Sequence, residues 1–361
     1  MEKKEKSKED LIPITNNSAP DNLFNDIKSL IESSRTRVAL SVNSEMVMLY
    51  WQIGERIRKD ILGQERAEYG KQVIEKLSIR LIQEYSQGFS RTNLFNMVRF
   101  SEVFPDNKIV QTVSEQLSWS HFCLLIYLND PLSRDFYTQM CQIERWSVRT
   151  LHKKIQGMLY ERTAISRKPE ELIKQELTAL KETEQMSPDL IFRDPYMLDF
   201  LGLADTYSEH DLESAILREI EDFLMELGKD FAFIARQKRI TIDNEDYYID
   251  LLFYNRRLRR LIAIDLKLGK FKASDKGQME LYLRWLDKYE RQPWEESPLG
   301  LILCAGKSVE HIELLQIEQS GIRVAEYLTE LPPREVLQKK LYEAIHVARE
   351  RLIIDKKRKG I

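Results

Sequence analysis

The chain has few of the residues that build covalent or metal-bound scaffolds. Of its 361 residues only three are cysteine and five are histidine. The cysteines, Cys123, Cys141 and Cys304, share no paired spacing, which argues against a disulfide framework and a zinc module. The sequence also lacks an apolar run long enough to span a membrane, and Met1 is not followed by the apolar stretch of a signal peptide. We therefore expect a cytoplasmic protein that does not enter a membrane.

An overall positive charge is missing as well. The 55 basic and 58 acidic residues give a formal net charge of −3, which argues against a protein that binds nucleic acid over its whole surface. The basic residues are unevenly distributed, because residues 231–276 contain eleven lysine or arginine residues and six acidic ones. A local basic excess of this kind suits contacts to a phosphate backbone.

The spacing of apolar residues divides the chain into a helical half and a mixed half. Residues 1–20 are polar and predict a disordered tail, whereas residues 21–186 have helical periodicity. Residues 187–355 alternate helices with strands, and one strand, at 299–305, is almost wholly apolar. These features predict an α/β domain with a mixed central sheet, followed by a basic tail at 356–361. The expected fold class is α+β multidomain, with a helical domain for DNA binding or assembly.

Two apolar strands, 248–254 and 261–267, carry two acids and a lysine. A hairpin that turns midway between them pairs positions whose numbers add up to 515, which sets Asp250 opposite Asp265. Opposed residues have Cβ atoms roughly 5 Å apart, close enough for both carboxylates to hold one divalent cation. Side chains alternate along a strand, so Lys267 shares the face of Asp265. A solvent-facing polar pair is the alternative, but the apolar surroundings favour the site.

A third carboxylate comes from the segment before these strands. Residues 211–227 predict an amphipathic helix that begins at the capping pair Ser208 and Asp211 and ends at Gly228. If the spacing of its apolar stripe, three and four residues, is extended towards the N-terminus, the stripe includes Glu213. Glu213 either faces the core beside the two aspartates or simply favours the helix dipole in the first turn. Helix geometry alone leaves both interpretations open.

These side chains suit the hydrolysis of a phosphodiester. A divalent ion held by Asp250 and Asp265, with Glu213 nearby, would activate water and offset the charge that builds on the phosphate. Oxygen ligands favour Mg²⁺ or Mn²⁺ over zinc. Lys267 would orient or deprotonate the attacking water and stabilise the transition state. Gln237 is either a contact to water or to the nucleic-acid backbone, or a solvated polar residue.

Further polar side chains are candidates for contacts to nucleic acid. The hairpin tip is rich in arginine, the stretch after Lys267 is basic, and the following helix presents two polar residues on one face. In the helical half, a turn at Gly88 leads into a helix whose first turn is polar, as in a helix-turn-helix, although an ordinary helix pair has the same pattern. The candidates are Arg256, Arg257, Arg259, Lys270, Lys272, Gln278, Tyr282, Arg91 and Asn93.

The order of Glu213, Asp250 and Asp265-x-Lys267 resembles the core of PD-(D/E)XK nucleases, and the neighbouring segments resemble the YhcG-type nuclease family in particular. The similar segments are DLLFY at 250–254, DLK at 265–267, GQM at 277–279, YWQIG at 50–54 and LSWSH at 117–121. The family usually has Glu where this chain has Asp265. The segments lie in both halves, so the resemblance covers most of the chain.

The resemblance implies a C-terminal PD-(D/E)XK nuclease domain. It also implies an Mg²⁺-dependent or Mn²⁺-dependent nuclease that acts on DNA, an (endo)deoxyribonuclease for which cleavage within the strand and cleavage from its end both stay open. The alternative is a nucleic-acid-binding or assembly protein whose nuclease fold is catalytically silent. Many enzymes that cut two strands act as dimers, so a homo-oligomer formed through the helical domain is a further expectation.

Overall fold

The computed structural model describes residues 18–62, 67–85, 87–203, 206–228, 230–330 and 332–359. The chain divides into two compact units, residues 1–123 and 124–361, so the predicted domain boundary after residue 186 falls inside the second unit. The predicted disordered tail lies outside the described residues as far as residue 17. None of the described helices combines the length and the apolar content that crossing a membrane requires.

The first unit is helical, as its periodicity predicted. Gly54 lets two of its helices cross closely, because a Cβ there would lie only 1.9 Å from the carbonyl oxygen of Met97. Ser90 begins the helix that follows the turn at Gly88, since its hydroxyl accepts a hydrogen bond from the backbone N–H of Asn93 at 3.4 Å. The helices are α1 (Ser18–Leu62), α2 (Ala67–Glu84), α3 (Arg91–Val103), α4 (Asn107–Ser114) and α5 (Trp119–Leu125), the last of which reaches the boundary of the unit.

The second unit combines a sheet with ten further helices among the described residues. The helices are α6 (Pro131–Glu144), α7 (Val148–Gln156), α8 (Leu159–Arg162), α9 (Glu170–Thr183), α10 (Pro188–Ile191), α11 (Glu209–Arg218), α12 (Ile220–Leu227), α13 (Ala273–Tyr289), α14 (Val309–Leu314) and α15 (Arg334–Lys359). The helix predicted over 211–227 is thus divided at Glu219, whose ψ of 37° departs from helical geometry. The predicted basic tail at 356–361 begins within α15.

The strands of the second unit form one mixed sheet, as predicted. They are β1 (Tyr196–Met197), β2 (Phe231–Ile242), β3 (Glu245–Asn255), β4 (Arg260–Lys270), β5 (Leu299–Gly306) and β6 (Ile322–Leu328). Their order in the described sheet is β1-β6-β5-β4-β3-β2, antiparallel from β2 to β4 and parallel from β4 to β1. Helices α11 and α12 cover one face, and α13 covers the other. The α13 face is tightly packed, because a Cβ on Gly300 would lie 2.5 Å from the side chain of Met279.

The predicted register of the β3–β4 hairpin is confirmed. Leu251 pairs with Ile264 and Phe253 with Ile262, so the paired numbers add up to 515. Asp250 and Asp265 take the next opposed positions, just beyond the last paired residues. A slip of one residue would move every side chain of one strand to the opposite face of the sheet. The register therefore decides where the acids lie.

A buried ion cluster fastens the helical segment of the second unit to the part that contains the sheet. The carboxylate of Glu226 in α12 accepts hydrogen bonds from Arg162 at 2.5 Å, from Arg193 at 2.9 Å and from the backbone N–H of Met197 at 3.0 Å. Burial alone would raise the pKa of Glu226, but the two guanidinium groups outweigh burial and lower the pKa to about 2. The ionised carboxylate therefore stabilises the folded unit.

We expect the change Glu226→Gln to destabilise the second unit at pH 7 by about 3 kcal/mol, because it leaves two buried arginines without a counter-charge. The effect should depend on pH. The folded pKa of Glu226 lies below its ordinary value near 4.5, so the contribution is complete above about pH 5 and is lost as the pH falls from 4.5 towards 2. Urea unfolding across this range, followed by circular dichroism, measures the difference between variant and wild type. The exposed Glu221 of the same helix provides the control Glu221→Gln, and equal effects of the two changes would contradict the prediction.

Candidate functional site

Glu213 faces the interior of the second unit. It lies in α11, which begins at a capping box formed by Ser208 and Asp211, and its side chain is buried beside Leu212 and Ile216 on the apolar face of the helix. Of the two interpretations left open by the sequence, the core-facing one describes its position. A buried carboxylate needs polar partners, and Arg236 of β2 supplies one by an ion pair to Oε1.

Gln237 joins Glu213 to Asp250. Its side-chain amide nitrogen donates to Glu213 Oε2 at 2.6 Å and to Asp250 Oδ1 at 3.1 Å. The backbone of Gln237 has a φ of 45°, a left-handed conformation that is uncommon for a residue other than glycine and that lies in the middle of a strand. Such conformations cost of order 1–3 kcal/mol and concentrate at functional sites. The strained strand thus brings two carboxylates within reach of one amide group.

The second oxygen of Asp250 is held by the neighbouring strand. The backbone N–H of Leu266 donates to Asp250 Oδ2 at 2.8 Å, which ties this carboxylate to β4 next to Asp265. Asp265 is only 2% exposed, and its Oδ2 lies 2.9 Å from Nζ of Lys267. The fold therefore brings the five side chains predicted from the sequence together at one place on the sheet: Glu213, Gln237, Asp250, Asp265 and Lys267.

The electrostatics around Asp250 and Asp265 favour the binding of a proton or a cation to these two carboxylates. Burial raises the pKa of Asp265 to about 7, and the negative charge of Asp250 adds to this effect, although Lys267 opposes it. Burial also raises the pKa of Asp250, against the hydrogen bond from Leu266. Burial would lower the pKa of Lys267, but the adjacent Asp265 outweighs burial and raises it, so the amine remains protonated near neutral pH.

Hard divalent cations prefer oxygen ligands, and this donor set fits one. Among the described residues, no three His, Cys, Asp or Glu side chains converge in metal-binding geometry. The fit therefore rests on the pair Asp250 and Asp265. Glu213 is held one step away by Arg236 and Gln237. A cation held by Asp250 and Asp265 would lower the raised pKa of both carboxyl groups. Glu213 would affect this cation indirectly, through the amide of Gln237 that binds Asp250.

The helix beneath the site buries one of the predicted nucleic-acid contacts. Tyr282 of α13 is only 1% exposed and packs in the core under the sheet, with its hydroxyl bound to the amide of Gln278 at 2.5 Å. Burial raises the pKa of Tyr282, and the charges of Asp250 and Asp265 raise it further, which indicates that the phenol lies near the acids. Tyr282 thus supports the floor of the site and offers no open surface to a polymer, while Gln278 is half-buried.

The basic candidates divide between the two ends of the hairpin. Lys270 and Lys272 are exposed, three and five residues beyond Lys267. The tip with Arg256 and Arg259 lies at the other end of β3 and β4, at a distance from Asp265 of about 20 Å at 3.3 Å per residue. Only the lysines therefore lie close to the acids.

Two of the tip arginines already have acidic partners. Arg257 lies 2.6 Å from Asp230 and 3.7 Å from Glu144, and Arg259 lies 3.4 Å from Glu296. The Arg257 side chain is mostly buried, so it anchors the turn to α6. Arg259 remains exposed, and ion pairs of this exposed kind are weak.

The helix-turn-helix candidates of the first unit differ in accessibility. The amide of Asn93 donates to the carbonyl of Gly88 at 2.5 Å and accepts from the indole N–H of Trp119 at 2.9 Å. Both ends of this side chain therefore take part in internal packing, as in an ordinary helix pair. Arg91 is exposed and stacks over Phe95, with 5.4 Å between the guanidinium carbon and the ring centre.

Sequence reasoning gave no role to two residues at the site. Arg236 is one of the eleven basic residues in 231–276, and in the structure it forms an ion pair with Glu213. Asp275 is buried at the start of α13, accepts the backbone N–H of Lys272 at 2.8 Å and raises the pKa of Asp265 through its charge. A capping pattern at 272–275 could have identified Asp275 as a helix start. Its proximity to Asp265 depends on how α13 folds back on the sheet.

Two family models match the chain. The DUF1016 N-terminal domain matches residues 26–162, and the YhcG PDDEXK nuclease domain matches residues 189–342. A protein of Escherichia coli (strain K12) named "Putative nuclease YhcG" is 36% identical over 360 residues, which is 91% of this chain and 95% of that protein.

Two solved structures are also similar over part of the chain. A repair endonuclease from Pyrococcus abyssi shares 22% identity at a TM-score of 0.25, and EndoMS in its apo form shares 16% identity at a TM-score of 0.24. Each match covers 36% of this chain, and about half of the solved chain, 50% and 49% respectively.

Proposed function

The chain belongs to the YhcG family and carries its PDDEXK nuclease domain, and we propose that it is a divalent-metal-dependent nuclease that hydrolyses phosphodiester bonds in DNA. The cation is Mg²⁺ or Mn²⁺, held by Asp250 and Asp265. One observation carries the proposal, namely that the amide of Gln237 connects Glu213 with Asp250 beside the pair of Asp265 and Lys267.

Each residue of the site has a separate role in hydrolysis. A bound divalent cation supplies an acidified water and offsets negative charge on the phosphate. Lys267 is protonated at neutral pH, so it donates to the phosphate oxygens as negative charge develops there and does not act as a base. Gln237 keeps Glu213 and Asp250 in fixed orientations. Arg236 balances the charge of Glu213 through an ion pair.

We expect purified protein to cleave DNA with Mg²⁺ or Mn²⁺, and expect Asp250→Asn and Lys267→Met each to reduce the cleavage rate by roughly 10²-fold or more, because each removes charge that acts on the transition state. Gln237→Leu should reduce the rate by a smaller factor, since the carboxylates remain. Cleavage of linear, branched and single-stranded DNA, and of RNA of the same sequence, is measured on gels with and without EDTA.

The matched control is Asp243→Asn, an exposed turn residue with a positive φ that asparagine tolerates. Binding of Mn²⁺ measured by calorimetry gives a second readout, and it should weaken in Asp250→Asn but not in Asp243→Asn. Undiminished cleavage by both Asp250→Asn and Lys267→Met would refute the assigned site. DNA binding without cleavage by any form of the protein would favour a catalytically silent binding protein.

DNA approaches, in this proposal, over the end of β4 and the start of α13. Lys270 and Lys272 are exposed there and adjoin the site, whereas the arginines at the hairpin tip are distant from it. The double change Lys270→Ala with Lys272→Ala should weaken DNA binding and make its dependence on salt concentration less steep, since each lost phosphate contact removes about one released counterion. Fluorescence anisotropy at several salt concentrations measures both quantities.

The double change Arg256→Ala with Arg259→Ala is the matched control, as it removes the same charge at the other end of the hairpin. It should leave affinity and salt dependence nearly unchanged. If the tip variant instead loses more affinity than the lysine variant, DNA lies along the tip and the proposed path is wrong.

We further propose that the protein self-associates through α1. Residues 24–42 of this helix are exposed on every side, and an apolar stripe runs along the helix for about 38 Å at 1.5 Å per residue. It consists of large apolar side chains that are each at least 45% exposed: Phe24, Ile27, Ile31, Val38, Val42, Met46 and Leu49. At 100° per residue they fall within one sector of the helix, opposite the buried Val47 and opposite Gly54, which packs against α3. A regular apolar stripe of this kind is typical of helices that pair.

A second copy of the chain is the occupant that fits this stripe. Seven half-exposed apolar side chains offer on the order of 600 Å² on each chain, near the roughly 800 Å² per partner of a standard interface. The same stripe on two copies forms an isologous interface, which closes as a dimer.

We expect the wild-type protein to be a dimer and Val38→Lys to be a monomer, measured by light scattering after size-exclusion chromatography, because the change places a charge in the middle of the apolar stripe. Thr36→Lys is the control, since residue 36 is exposed and points about 200° away on the helix. A wild-type monomer at every concentration, or equal effects of both changes, would contradict self-association through this stripe.

A further inference from the structure

A cavity of about 340 Å³ lies within the second unit, and neither Asp250 nor Asp265 lines it. Its walls come from α6 and α7, from the segments around residues 186–193, 225–228 and 230–231, and from the end of β3. The lining is mostly apolar and includes Trp146, Met140, Met186, Met225 and Phe231. A volume at the lower end of the range of ligand pockets suits a molecule of one or two rings.

Lys154 of α7 is the first polar group in this lining. Its amine donates to the carbonyl of Met225 at 3.1 Å, and among the described residues it has no carboxylate within ion-pair distance. Burial lowers the pKa of Lys154 to about 7, and the charges of Arg193 and Arg162 lower it further, against Glu226 and Glu144. A lysine in this setting gains from any anion that comes within hydrogen-bond distance.

Arg193 is the second polar group. It is only 6% exposed and lines the same cavity. One terminal nitrogen binds Glu226 at 2.9 Å, but the Nε–H is buried and has no acceptor among the described atoms. A buried donor without an acceptor is unfavourable by about 1–3 kcal/mol. The side chain of Arg193 also adds positive charge to the cavity wall.

The charges around the cavity leave a positive excess. Glu226 is bound by Arg162 and Arg193, and the lining acids Glu144 and Asp230 both lie beside Arg257. Each acid near the cavity is therefore already matched by a guanidinium group. Lys154 and the exposed Arg145, which also lines the cavity, add cationic charge beyond these pairs.

We propose that this cavity binds a small organic carboxylate with an apolar body, whose carboxylate lies between Lys154 and Arg193 and whose body packs against Trp146 and the methionines. The apolar lining selects the body, because it buries hydrocarbon surface. The amine of Lys154 and the guanidinium group of Arg193 select the acid, because they supply charged donors to its oxygens. This site is separate from the proposed nuclease site and does not depend on cleavage activity.

The test uses naphthalene-2-carboxylate and its neutral analogue naphthalene-2-carboxamide with the full-length chain, measured by calorimetry at pH 7. The two probes have the same body, so their difference reports the acid alone and needs no variant. We expect saturable binding of the carboxylate at one site and at least tenfold weaker binding of the amide, equivalent to about 1.4 kcal/mol. Equal affinities of the two probes, or no saturable binding of the carboxylate at millimolar concentration, would overturn the proposal.

Substitutions of two adjacent lysines test whether the carboxylate binds in the cavity. Lys154→Met removes the amine that lines the cavity and should weaken binding of the carboxylate at least tenfold. Lys153→Met removes the neighbouring exposed charge and should leave the affinity unchanged. An equal loss in both variants would show that the probe responds to general surface charge, and would also overturn the proposal.

Proton uptake gives an independent readout on the unmodified chain. At pH 8 the amine of Lys154 is mostly neutral, and a bound carboxylate raises its pKa by stabilising the ammonium. Binding at pH 8 should therefore take up a proton, which calorimetry in two buffers of different ionisation enthalpy detects. Arg162, Arg193, Glu144 and Glu226 are the other charged groups that act on this amine. Binding without proton uptake would contradict a contact to Lys154.

Discussion

The register between β3 and β4 is the constraint on which the candidate site depends. Side chains alternate along each strand, so a single residue of slip would turn Asp265 and Lys267 towards α11 and α12 and bury them among apolar side chains. The apolar residues on both faces of β4 prevent this slip, because the same slip would rearrange both cores. The acids are thus held in place by the packing of residues that have no chemical role.

The parts of the site that the sequence predicted depend on local rules. Turn position and strand alternation set Asp250 opposite Asp265, whereas helical periodicity made the inward position of Glu213 only one of two interpretations. The parts it missed depend on contacts distant in the chain or on an exceptional backbone. No propensity predicts the left-handed conformation of Gln237 in a strand. The proximity of Asp275 to Asp265 arises only when α13 packs back on the sheet.

The arginines of the hairpin tip show the same limit. As a sequence they form one basic cluster, but folding gives them separate tasks, since Arg257 is fixed between Asp230 and Glu144 while Arg256 remains exposed. Charge counted along the chain therefore overstates the surface available to a polymer. The fold class, by contrast, follows from the pattern of apolar residues over long windows, which tolerates local exceptions such as the break at Glu219.

The pairing of β1 with β6 has a consequence for biosynthesis. Tyr196 pairs with Tyr327, a partner that the ribosome adds 131 residues later, and parallel pairings of such separation form slowly. The β2–β3–β4 meander and its acids emerge well before β5 and β6 cover them. A nascent chain therefore exposes the open edge of β4 for several seconds at ordinary rates of translation, an edge suited to pairing with other strands.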